Sequence, residues 1–60
     1  MRSITIDGVT GATLEYLNGD KVVARAQLGR PQLLVAGQYR ARLVQDKRIV
    51  GYSPFFTVEP

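Results

Sequence analysis

Arg25, Arg40 and Arg42 are the side chains with which this chain could do most to a partner. A guanidinium presents a rigid fork of donors that grips a carboxylate or phosphate at two points. Arg40 and Arg42 stand two residues apart, so on an extended chain they project together. Arg25 alternates with Ala24 and falls on the side away from Val22 and Ala24. The same three residues on a solvated face would also keep a small domain soluble and blunt its strand edges. Tyr16, Tyr39 and Tyr52 add rings on which bases could stack. Tyr39 and Tyr52 alternate with small and aliphatic neighbours, which places them in a core.

Other chemistry is removed by what the chain lacks. It has no His and no Cys, which excludes imidazole and thiol catalysis, disulfides and zinc held by either ligand. Ser3, Ser53 and the threonines have no base beside them in sequence, and nucleophilic catalysis needs one. The carboxylates form no close pair, and Asp7, Asp20 and Asp46 fall among turn formers, where Asp bonds the local backbone. Gly8 and Gly11 flank no strand-to-helix step of the kind that cradles phosphate. The expectation is a protein that is not an enzyme and uses no cofactor or metal.

The elements that must position the arginines are strands. Over 37–44, Tyr39, Ala41 and Leu43 alternate with Gln38, Arg40 and Arg42, the two-residue period of a half-buried strand. This is the expected central strand. Around it, strands are expected over 3–6, 12–16, 21–28, 33–35, 49–52 and 55–59. Asp7 to Gly11 collects loop formers, Pro31 ends the third strand, and Ser53-Pro54 ends the sixth. Asn18-Gly19 signals a hairpin. A three-residue loop there sets Leu14 against Val22, Ala12 against Ala24 and Glu15 against Lys21. A two-residue Asp46-Lys47 turn sets Leu43 against Val50, Ala41 against Tyr52 and Val44 against Ile49. The 33–35 run, bounded by Pro31 and Gly37, reads as a buried short strand.

Sixty residues make one domain, 1–60, whose core is marginal, because a chain of that length buries only roughly 60% of its unfolded surface. With 45% hydrophobic and 22% charged residues it is expected to fold. With disulfides and zinc excluded, association is the remaining aid to stability. Eight Lys and Arg against five Asp and Glu give +3, a weak pull toward acidic partners. No apolar run is long enough for a signal peptide or membrane span. The chain is therefore expected in the cytoplasm, or in a virion assembled there, with no membrane partner.

Short strands at intervals of about eight to ten residues predict an all-β fold: a small antiparallel β-sandwich, Ig-like or transthyretin-like, of six to seven strands, or alternatively a small barrel. Leu33-Leu34-Val35-Ala36-Gly37-Gln38-Tyr39 with the strand that follows resembles the Gly-x-Tyr segment of PEGA and carboxypeptidase-regulatory-like domains. Asn18-Gly19-Asp20-Lys21-Val22-Val23 is similar to the hairpin that such domains place before it. Ser53-Pro54-Phe55-Phe56-Thr57-Val58 is similar to the last strand of immunoglobulin-like repeats. The resemblance implies a sandwich and assigns no chemistry.

Val44, Ile49 and one of Phe55 or Phe56 fall off the covered face together with Val23, leaving apolar surface beside arginine unless a second sheet covers it. The expected partner-binding residues are thus Val23, Arg25, Arg40, Arg42, Val44 and Ile49. The expected function is a non-catalytic module that docks on a larger protein assembly or on itself, a virus or phage capsid decoration protein being one form. The alternative is a small basic barrel that binds nucleic acid.

Overall fold

Strand β5, Gly37–Gln45, is the spine of the molecule. The computed structural model describes residues 1–8 and 11–60. Among them are seven strands and no helix: β1 (Arg2–Ile4), β2 (Thr13–Asn18), β3 (Lys21–Gln27), β4 (Gln32–Leu34), β5, β6 (Arg48–Tyr52) and β7 (Phe56–Val58). Strands β3, β2, β5 and β6 lie in that order in one sheet, with β7 also on β5, while β1 and β4 form a two-stranded ribbon. All pairings are antiparallel. Among the described residues the sheet does not close into a barrel, so the sandwich expectation holds and the barrel alternative does not. Val9 and Thr10, part of the expected loop, lie outside the described residues.

Both edges of β5 are used. One pairs with β2 from Leu17↔Arg40 to Thr13↔Val44. The other pairs first with β7, at Gly37 to Tyr39, and then with β6, at Arg42 to Gln45. Pro54 cannot donate to a ladder, and Ser53 fills the step between the two partners. Its hydroxyl accepts from the Ala41 N–H at 2.8 Å, and its own N–H donates to the Ala41 carbonyl at 2.8 Å.

The inner face of the sheet carries the core. Leu14 and Tyr16 from β2, Tyr39 and Ala41 from β5, Leu34 from β4 and Val58 from β7 are buried together. Burying an aliphatic side chain of this size stabilises by about 1.5–3 kcal/mol. Phe56 meets Tyr16 edge-on at 6.3 Å between centroids and lies tilted against Tyr39 at 6.1 Å. The Tyr39 hydroxyl donates to the Val35 carbonyl at 2.7 Å, which ties the entry of β5 to the end of β4. Tyr16 is fully buried and its hydroxyl has no partner among the described residues.

Two β-bulges and one displaced turn change the expected registers. The β2–β3 turn is Gly19-Asp20, closed by Asn18↔Lys21, with Gly19 at φ 63°. Positive φ at the first central position alone is the type II′ pattern. The expected three-residue loop Leu17-Asn18-Gly19 does not form: closure at Asn18↔Lys21 moves the partners three residues along β3 and the extra residue Val23 moves them a fourth, so Leu14 faces Ala26 and Glu15 faces Arg25, in place of Val22 and Lys21. Asp46-Lys47 is a two-residue turn as expected, with φ 53° and 64°, the type I′ signature. Val44↔Ile49 also stands. Val50 is then the extra residue, so Leu43 faces Gly51 and Tyr52 faces Arg42. A one-residue insertion sends every later side chain to the other face, which moves Tyr52 out of the core to 49% exposure. Of the expected 33–35 strand only Leu34 is buried, whereas Leu33 in β4 and Val35 just after it face solvent. The short strand is half-buried because the ribbon is the outer layer.

Candidate interaction surface

The registers lay the outer face of the large sheet out in three rows. Ile49, Val44, Thr13 and Gln27 form the first; Tyr52, Arg42, Glu15 and Arg25 the second; and Arg40, Leu17 and Val22 the third, with the bulged Val23 beside Val22. The middle row is ionic. Glu15 Oε2 accepts from Arg25 Nε at 2.9 Å and Glu15 Oε1 from Arg42 Nε at 2.7 Å, so one carboxylate bridges three strands. Arg42 first and Arg25 second hold the Glu15 carboxyl below its ordinary value, against a smaller opposing effect of burial. Glu15 in turn raises Arg42, with the Tyr52 hydroxyl adding to the effect and burial opposing it.

Arg40 is held differently. Its guanidinium lies 4.2 Å from the centroid of Tyr52 and 5.2 Å from that of Phe55. Cations over aromatic faces gain about 0.5–1 kcal/mol at exposed sites. Its Nε is buried without a hydrogen-bond partner among the described residues. Arg25 and Arg42 are thus engaged within the chain, and Arg40 keeps an unneutralised charge between two rings.

The six expected residues all lie on this face, but not as one group. Arg40, Arg42, Val44 and Ile49 gather on β5 and β6. Val23 and Arg25 stand on β3, two strands from β5 and three from β6, roughly 10 and 14 Å at the usual strand spacing. The ionic row also separates Val44 and Ile49 from Val23, so the apolar surface is divided. Ile49 is 48% exposed, Val23 45% and Phe55 64%, and Val44 is half-buried. No further strand layer covers this face among the described residues, although Leu17 in the third row is itself buried, and the ribbon packs on the other side. A second exposed apolar group, Met1, Leu33 and Val35, lies on the ribbon and the segments flanking it.

Sequence reasoning missed Tyr52, Glu15 and Gly51. Tyr52 was hidden by the bulge. Glu15 was placed against Lys21, although a single acid facing two basic strands is the signal for a bridging carboxylate. Gly51 lies within β6 and lines a mainly apolar groove of about 220 Å³ with Ile6, Leu14, Ala41, Leu43 and Ser53, and with Arg42 and Tyr52 of the β5–β6 pair. Among the described residues no group of three or more acidic residues stands close enough to hold a metal ion. No helix of the described residues is long and apolar enough to cross a membrane. Compared with protein-family models, curated proteins and solved structures, the chain matches none.

Proposed function

We propose that this protein is a non-catalytic interaction module that docks on a larger protein assembly through the β5–β6 half of its outer face. The observation that carries the reading is the exposure of Ile49, Tyr52 and Phe55 around Arg40 on a face that no other layer covers among the described residues. Apolar area rimmed by charge is a feature of protein contacts. The exposed surface, 4282 Å², also exceeds the roughly 3,900 Å² typical of a monomer of this mass. Covering one face would supply the burial that a 60-residue core lacks.

The form of assembly we favour is a repeated lattice, such as a virus or phage capsid that the module decorates, where one weak site is presented many times. The architecture would be of the Ig-like or PEGA-like kind. The Tyr39 hydroxyl bond to a carbonyl four residues upstream supports this, because such a tyrosine corner recurs in Greek-key sandwiches. Nucleic-acid binding is the weaker reading, since Glu15 occupies two of the three arginines proposed to grip phosphate.

A benzophenone amino acid in place of Phe55, irradiated in the producing cell, tests the reading. Adducts with one protein species, sedimenting with a particle in the decorated-lattice form, are the expected result. Adducts with nucleic acid alone, or an isolated chain that melts as a hyperstable monomer and forms no adducts, would overturn it.

A further inference from the structure

The free edge of β6 adds to this reading an observation that bears on the partner's chemistry. Strand β6 pairs with β5 alone among the described residues, and all five of its residues are exposed. An unpaired strand edge presents N–H and C=O groups ready for another strand. On its inner side the apolar groove opens beside Gly51, walled by Ile6, Leu14, Ala41 and Leu43. Its 220 Å³ exceeds the roughly 150 Å³ that suffices for a benzene ring, so one aliphatic or aromatic side chain would fit.

Gly51 itself needs explaining. Glycine inside a strand weakens it and often marks a bulge or the close approach of a ligand or second backbone. The adjacent bulge does not require it, because Gly51 is not among the positive-φ residues. A Cβ at this position would meet nothing within 4 Å. Neither backbone conformation nor packing within the chain calls for glycine here. What glycine does provide is an open mouth to the groove and room for a neighbouring chain.

Charge selects among occupants. Around β6, Lys47, Arg48 and Arg40 form no ion pair among the described residues, and Asp46 is the acid that shares their turn. A second copy of this chain would bring the same cations and a net charge of +3 to the contact. A nucleic-acid strand would meet the charge but could neither extend a β-ladder nor fill an apolar groove.

We propose that β6 and the groove beside Gly51 accept an extended acidic segment of a partner protein, which joins the sheet as the next strand and inserts one apolar side chain into the groove. This is the mode in which main-chain bonds supply affinity and a pocket for alternate side chains supplies selectivity. It rests on the docking reading above and specifies what docks.

The test is selection of a displayed random heptapeptide library on the intact chain, with excess Gly51→Val protein as competitor. Gly51→Val adds a side chain in open space, so its melting temperature should be unchanged or higher, and Gly51→Ala is the fallback if it fails to fold. Enriched peptides should alternate acidic and apolar residues and shift the amide resonances of β6 and the groove. They should bind Gly51→Val about tenfold or more weakly, as filling a side-chain pocket does, and lose binding when their backbone is N-methylated. Peptides that are absent, basic, equally bound by Gly51→Val or located on β3 or the ribbon would overturn the proposal, as would self-pairing through β6. Phe55 adducts with a protein, together with peptides indifferent to Gly51→Val, would remove the β6 inference and leave the docking reading standing.

Discussion

The two edges of the large sheet, β3 and β6, are both bulged, yet they meet water differently. Along β3, exposure alternates residue by residue, and Ala24 and Ala26 pack against the core. Along β6, every residue is exposed. The cause is the second layer. Strand β4 packs beside β3, and the Gly29 N–H donates to the Ile6 carbonyl at 2.8 Å, binding the segment after β1 to the end of the β3 strand. Opposite β6 the inner side is the groove beside Gly51. An edge under the ribbon is part of the core, whereas an edge beyond it is held by hydrogen bonds, a type I′ turn and the Arg40 contact with Tyr52.

The largest effect that could break this comparison is truncation on its two sides. Leu14→Ala, in the covered region, should cost about 2–5 kcal/mol. For a domain of this size, with total stability of about 0.05–0.15 kcal/mol per residue, that is most of what there is. Ile49→Ala, on β6, should change stability by no more than about 0.5 kcal/mol. Urea unfolding of the two variants decides it, and comparable losses would mean that β6 belongs to the core.

A smaller effect sharpens the account of the covered side. The Tyr16 hydroxyl is buried without a partner among the described residues, and that burial raises its pKa. Tyr16→Phe removes the unpaired group while keeping the ring against Phe56, and should stabilise the chain by about 1 kcal/mol. For a small domain that is roughly 4–8 °C in melting temperature. A lower melting temperature would show that the hydroxyl is bonded in solution.

The smallest effect concerns the ionic row that crosses from β3 to β6. The folded Glu15 carboxyl titrates below its ordinary value of 4.5, so in acid the unfolded chain binds its proton first. The contribution of Glu15 is complete above the unfolded value and is lost as pH falls through the lower folded one. Glu15→Gln should flatten this acid limb in urea midpoints measured across pH. An unchanged limb would assign it to another carboxylate.

The alternation of Tyr39, Ala41 and Leu43 was enough to identify β5 and the face it buries, and Asp46-Lys47 was enough to place its turn. The bulges were not legible, because an inserted residue leaves the two-residue period intact on either side and changes only which periods face each other. Val50 therefore sent Tyr52 to the outer face unannounced, while the turn at Gly19-Asp20 together with Val23 displaced Glu15 from Lys21 to Arg25. Of the interaction surface, Arg40 and Ile49 could be read from alternation. The engagement of Arg25 and Arg42 by Glu15 could not, since it depends on those displaced registers. Gly51 read as an ordinary strand residue, because the groove beside it exists only once Ile6 and Leu14 are brought together.

The central claim is that β6 lies open at its outer edge while the rest of the sheet is closed over a core, and amide hydrogen exchange of the isolated chain tests it most directly. Amides of β2 and β5 that bond across the sheet should exchange only through global unfolding, while those on the free side of β6 should exchange at rates near an unfolded chain. Protection on the free side of β6 equal to that of β2 and β5 would contradict the account.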